Sequence, residues 1–179
     1  LAEEGADMLD VGAESTRPGA HPVSPEQQIA RVVPVIEALV KRTPVAISID
    51  TSDPAVMRAA VAAGAGFIND VRALRSEGAL EAAAELQVPV CLMHMQGEPG
   101  SMQDNPQYDD VVGEVQRFLS DRVFACQLAG IDKARIVVDP GFGFGKSLQH
   151  NLELLRNVAR FVEIAPVMVG LSRKSMFRE

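Results

Sequence analysis

Six short apolar runs, each finishing in polar or charged residues, alternate with stretches of helical spacing, and this alternation constrains the fold more than any other feature. The runs are MLDVG (8–12), VAISID (45–50), GFINDV (66–71), VPVCLMHM (88–95), RIVVDP (135–140) and VMVGLSR (167–173). Such unbroken apolar strands belong to sheets covered on both faces, and strand-then-helix repetition builds a parallel sheet with crossover helices. Between the first two runs, Ile29, Val32, Val33, Ile36, Leu39 and Val40 recur at helical intervals, one stripe of a helix over 26–42. Ser24-Pro25-Glu26-Gln27 opens it as a capping box with Pro at the first helical position. Asp53-Pro54 opens a second helix and Gly64 stops it. Further helices are expected over 77–86, over 109–129 with Val111, Val112, Val115, Phe118, Leu119 and Val123 inward, and over 148–162 through Leu152, Leu155, Ala159 and Val162.

Two architectures satisfy this pattern, an open doubly wound sheet and a barrel. A doubly wound sheet gathers its site at one switch point. Here every run ends in chemically capable groups: Asp10, Asp50, Asn69 with Asp70, His94, Asp139, and Ser172 with Arg173. A ring of polar strand ends favours the barrel, whose active sites sit at that rim. The expected fold is therefore α/β, a (β/α)8 TIM barrel. Residues 1–179 supply about six of its βα units as a single domain truncated at both ends. The chain opens at Leu1 without an initiator Met, within what reads as a helix end, so it is read as an internal piece of a longer protein.

With 24 acidic and 17 basic residues the net charge is −7. That balance argues against nucleic acid as the main partner while leaving room for a local anion site. No apolar run approaches the roughly 18 residues of a membrane span, so no membrane partner is expected. Two cysteines, Cys91 and Cys126, cannot make a disulfide framework and suit a reduced, cytoplasmic setting. Both are read as buried and inert. His94 reads as a core or rim residue. His21 and His150 lack ligand-spaced partners, so no metal site is expected within this chain.

Four segments carry chemistry. Glu14-Ser15-Thr16-Arg17-Pro18-Gly19-Ala20 combines hydroxyls, a guanidinium and Gly, which suits closure on a phosphate; an ordinary polar loop has the same composition. Ile49-Asp50-Thr51-Ser52 and Asn69-Asp70 place acids and an amide at a pocket mouth. Asp53 is a helix cap, and Ser52 or Asp70 can serve backbone donors, whereas Asp50 precedes the cap and has no such duty. Residues Asp139 to Lys146, DPGFGFGK, end in Gly-Lys-Ser, yet Pro140 stands where a phosphate-binding P-loop needs Gly, and the dinucleotide fingerprint fails too. Alternating Gly and Phe instead suggests a backbone that approaches a ligand closely, with Phe as a lid. Gly170-Leu171-Ser172-Arg173-Lys174-Ser175 puts two cations and two hydroxyls at a helix start, an anion site. A Lys there can alternatively form a Schiff base, and a solvated basic pair has the same sequence.

In chain order, DVGAESTRPGA (10–20), SIDTS (48–52), FINDV (67–71), CLMHMQG (91–97), VVDPGFGFGK (137–146) and GLSRKSMF (170–177) resemble the dihydropteroate synthase family of folate biosynthesis. Position 13 is Ala where many members have Gly. The resemblance implies a (β/α)8 barrel that joins p-aminobenzoate to a dihydropterin methyl diphosphate, giving dihydropteroate and pyrophosphate with Mg²⁺ as cofactor. It implies that Asp50, Asn69, Asp139 and Lys174 bind the pterin, while Val71, Met93, Phe144 and Gly170 belong to its pocket. Thr16 and Arg17 would lie over the diphosphate and p-aminobenzoate, and Ser175 would hold the p-aminobenzoate carboxylate. Asp50, Arg17 and Lys174 would carry the catalysis. The Mg²⁺-binding Asn is expected before Leu1, and an Arg and a His on the diphosphate after Glu179. A homodimer is expected by analogy. Two rivals stand beside this reading: a methyltetrahydrofolate-binding methyltransferase barrel, which shares the Asp and Asn strand ends, and a non-catalytic ligand-binding fragment.

Overall fold

The computed structural model describes residues 1–15, 21–97 and 101–172. Five strands, β1 (Met8–Gly12), β2 (Ala46–Asp50), β3 (Phe67–Asp70), β4 (Val90–Met93) and β5 (Ile136–Asp139), form one sheet in the order β1-β2-β3-β4-β5. Every pairing is parallel. Each strand lies beside its predecessor, with no reversal of order and hence no switch point, which is the arrangement of a (β/α) barrel wall rather than a doubly wound sheet. The sixth apolar run departs from expectation. Among the described residues it pairs only through one parallel bridge, Val167 to Val138. Pro166 accepts from the Val138 amide and Met168 donates to the Val138 carbonyl, both at 2.9 Å. Pro166 itself has no N–H to extend the ladder.

Among the described residues, five α-helices connect and flank these strands: α1 (Pro25–Arg42), α2 (Pro54–Ala63), α3 (Ala79–Leu86), α4 (Val111–Leu128) and α5 (Leu148–Arg156). Ser24 caps α1 through the Gln27 amide, half of the expected capping box, with Pro25 at the first position. Asp53 caps α2 with bonds of 2.8 and 3.1 Å, and Gly64 ends it at φ +117°, a left-handed conformation suited to Gly. Two expected stripes shift. Val40 is exposed at the end of α1, while Gln28 is buried, donating to the Val23 carbonyl. The expected helix over 148–162 ends at Arg156, because Asn157 turns its side-chain amide back onto the Glu153 carbonyl at 2.9 Å; a 3₁₀ turn over Val158–Glu163 follows. That change of period turns Leu154 and Phe161 into the core and leaves Val162 exposed. None of the described helices is long and apolar enough to cross a membrane.

Register and pleat sort the sheet into two faces. Ile47, Ile49, Ile68, Val90, Leu92, Ile136 and Val138 share one face and form the core with residues such as Val32 and Ile36 of α1, Met57 of α2 and Leu119 of α4. The other face carries Asp10, Gly12, Ser48, Asp50, Asn69, Cys91, Met93 and Asp139. Burial on the helix side fixes the register, and the register alone then gathers the polar residues on the opposite side.

Candidate active site

At the β1–β3 end, Gly12, Asp50 and Asn69 occupy one register row. Gly12 leaves space beside the acid: a Cβ there would lie 3.3 Å from that of Asp50. The amides at the start of α2 go to Asp53 and not to Asp50. Asp50 is half-buried, and its carboxyl is pushed up to about 7 by burial first, then by the charges of Asp10, Asp70 and Glu14. Asn69 donates its side-chain amide to Asp10 Oδ2 at 3.0 Å. Asp70 points to the helix side and serves structure. It accepts the Arg72 and Leu74 amides at 2.8 and 2.7 Å and the Ser52 hydroxyl.

The β4–β5 end is built differently. Asp139 is buried and takes the Gly141 amide on Oδ1 at 2.7 Å, which fixes the plane of the carboxylate. Val71, Met93, Met95 and Met102 form an apolar cluster separate from the main core, with Phe144 packed on it. Phe142, by contrast, is fully buried in the main core and is no lid. The glycines of this loop also answer to the protein itself. A Cβ on Gly141 would lie 1.8 Å from the His94 carbonyl oxygen, and one on Gly145 would lie 2.3 Å from that of Gln96. This close approach is to the segment that follows β4.

Lys146 explains why the loop holds this shape. Its ammonium is buried and donates to the carbonyls of Gly141 and Phe144 at 3.0 Å and of His94 at 3.3 Å, and it meets His94 Nδ1 at 2.9 Å. His94 is driven down to about 2 by burial, then by Lys146 and Arg75, so the ring is neutral and accepts from the ammonium. Phe118 packs edge-on against that ring at 4.9 Å. From the following segment, Tyr108 donates to the Gly145 carbonyl at 2.8 Å, and Gln96 and Gln107 exchange bonds of 2.8 and 3.1 Å. The thiols take no part in this chemistry: burial pushes Cys91 well up and Cys126 to about 11.

Of the residues singled out in the sequence, Asp50 and Asn69 meet at one rim, and Val71, Met93 and Phe144 at the other beside Asp139. Gly170 is exposed beyond the Val167 bridge and joins no strand. Thr16, Arg17, Arg173, Lys174 and Ser175 lie outside the described residues. The reading missed the buried Lys146, whose only signal was a charge closing an apolar Gly-rich motif. It also missed Met95 and Met102 as companions of Met93.

A parallel barrel wall with acids and amides on its inner strand face defines a small-molecule site at the strand ends. The family pattern described as pterin binding enzyme matches residues 1–179, and the chain belongs to that family. It is 54% identical over 177 residues to the dihydropteroate synthase of Escherichia coli strain K12, covering 98% of this chain and 63% of that protein. It is 52% identical to the dihydropteroate synthase of Haemophilus influenzae, covering 98% and 64%. Among solved structures, the Yersinia pestis dihydropteroate synthase in a sulfonamide drug complex superposes with a TM-score of 0.96 at 50% identity, covering 98% and 64%. The Xanthomonas albilineans enzyme with 4-aminobenzoic acid gives a TM-score of 0.92 at 60% identity, covering 98% and 62%. The chain thus spans a little under two thirds of the length of these relatives.

Proposed function

We propose that this chain is the pterin-binding part of a dihydropteroate synthase, which joins p-aminobenzoate to a 7,8-dihydropterin-6-ylmethyl diphosphate. The observation that carries the reading is that Asp50, Asn69, Met93 and Asp139 share one sheet face, with Val71 and Phe144 in the apolar cluster of Met93, in a chain of this family. A pterin offers adjacent N–H donors along one edge and a flat apolar ring. A fixed carboxylate such as Asp139 accepts two such donors, and methionines with a phenyl ring match the flat face.

The reaction breaks the bond from the pterin methylene to the diphosphate oxygen, and the electron pair leaves with the diphosphate. The aromatic amine then bonds to the methylene carbon and loses a proton. Positive charge builds on the pterin as the leaving group departs. An ionised Asp50 held at the rim stabilises that charge without reorganising. An aromatic amine is already nucleophilic. The site accordingly works with a neutral, committed His94 and inert thiols. Thr16, Arg17, Lys174 and Ser175 enter this proposal through the family resemblance, toward the diphosphate, the pterin and the p-aminobenzoate carboxylate. Mg²⁺ belongs to the same reading as a companion of the diphosphate. Among the described residues no three His, Cys, Asp or Glu side chains converge as a metal site. The proposal extends to a cytoplasmic homodimer, with two buried free thiols supporting the reduced setting.

Incubating the full-length protein with both substrates and measuring dihydropteroate and pyrophosphate tests this function. Formation of both in equal amounts supports it. Methyl transfer from a methyltetrahydrofolate without consumption of p-aminobenzoate would favour the rival barrel.

A further inference from the structure

The Asp10–Asn69 bond has no duty in the fold. It ties β1 to β3 across the intervening β2, whose strands are already joined by their backbone ladders. Asp10 caps no helix, and its carboxylate is exposed on the same sheet face as Asp50. An ionised carboxylate only accepts hydrogen bonds, whereas a carboxamide has one end that accepts and one that donates. Asp10 therefore takes the Nδ2 end of Asn69, and the amide has one favourable orientation instead of two. Turned over, it would set carbonyl oxygen against carboxylate oxygen. In the orientation observed, Oδ1 and the second Nδ2 hydrogen remain for a ligand.

We propose that Asp10 is a positioning residue, which locks the Asn69 amide so that its Oδ1 faces the pterin; this rests on the pterin-binding reading above. Asp10 does not touch the reacting atoms. It also acts on a second residue of the same face. The described charged groups that bear on Asp50 are Asp10 from β1, Asp70 from β3 and Glu14 from the segment after β1, all of them acids that hold its carboxyl up. The Cys91 thiol of β4, on the same face, stays protonated. Asp10 thus has two separable effects, one through its acceptor and one through its charge.

Two variants of the full-length protein separate them. Asp10→Ala removes acceptor and charge, while Asp10→Asn keeps an acceptor oxygen for Asn69, adds a donor that can pair with the turned-over amide, and removes the charge. The readouts are calorimetric affinity for a pterin lacking the diphosphate, the acid limb of the kcat/KM profile, and melting temperature. Asp10→Ala should bind this pterin about tenfold more weakly, the scale of losing a residue that orients a binding group. Asp10→Asn should bind it about twofold more weakly, since two amide orientations of comparable energy leave about half of the molecules competent. Both should move the acid limb to lower pH by about half a unit, because one repulsive charge on Asp50 is gone. Unchanged affinity in Asp10→Ala overturns the lock, as does equal weakening in both variants with melting temperatures intact. An acid limb that moves in neither variant overturns the charge effect. If the unaltered protein itself binds no pterin, the function proposed above fails instead, and the two failures are told apart by that control.

Discussion

The two halves of the strand-end rim follow opposite physical rules. Around β1–β3 the described groups are acids and an amide held near one another, with Asp50 raised toward neutral pH by burial and by its neighbours. Around β4–β5 the groups are methionines, a phenyl ring, a neutral imidazole and a loop pinned by one buried ammonium. The first half works by charge and responds to pH. The second works by shape, and apart from the Asp139 carboxylate its polar atoms hold that shape. A flat, polar-edged ligand that develops positive charge needs both: one wall to define its plane, one to meet the charge.

The largest expected effect comes from the one acid that the second half presents on the inner sheet face. Asp139→Asn sets an amide donor toward the donors of the pterin edge, and losing a charged acceptor at a buried site costs about 3 kcal/mol, roughly a hundredfold in affinity. Calorimetry with a diphosphate-free pterin checks this, and unchanged affinity would remove Asp139 from the site. Next is Lys146→Met, which takes the ammonium from three carbonyls and His94 Nδ1, only the Gly141 carbonyl keeping the Phe144 amide among the bonds described. About 2–3 kcal/mol of folding stability should be lost in denaturant titration. A loss below 0.5 kcal/mol (about the scatter of surface substitutions) would mean that the loop holds itself.

The charge half is sharpened by Asp50→Asn. Its carboxyl is raised from 3.8 to about 7, so the native state holds this proton more tightly than the unfolded chain. Folding stability therefore falls as pH rises through that window and stays lowered above it. The Asn variant should lose that slope and gain about 1–2 kcal/mol at pH 8, discounted for partial exposure, while turnover collapses. A stability profile unchanged by the substitution would contradict the repulsion among the acids. The smallest effect is expected from Phe144→Leu, which keeps an apolar side chain there but removes the ring face. About 1 kcal/mol of pterin affinity should go, with melting temperature nearly unchanged.

Much of the charge half was legible in the sequence because its residues announce themselves one at a time. Asp53 and Gly64 read as helix punctuation, which freed Asp50 to be read as a site residue, and the structure keeps the two helix assignments. The shape half was legible only in part. Gly141 and Gly145 are required by the approach of the backbone at His94 and Gln96, contacts between chain segments some fifty residues apart that no local pattern encodes. Phe142 and Phe144 alternate identically in sequence, yet one joins the main core and the other the methionine cluster. Lys146 was hidden for the same reason, since its acceptors include groups on another strand end. The misplaced stripe of the last helix has a local cause that is hard to weigh in advance, a single Asn157 bending back on its own turn.

The order of the strands also has a kinetic side. Ile49 on β2 meets Ile68 on β3 across α2 alone, whereas Leu92 on β4 meets Val138 on β5 only after α4 and its flanking loops have been gathered in. That second loop is more than twice as long, and closing it costs roughly 0.8 kcal/mol more entropy. The acidic half should therefore nucleate early, as the chain emerges, and the methionine half should dock onto it late. The Lys146 clasp joins the ends of β4 and β5 and so belongs to the docking step. Its removal should leave the refolding rate almost untouched and speed unfolding instead, which stopped-flow measurements on Lys146→Met would show as a movement of the unfolding limb alone.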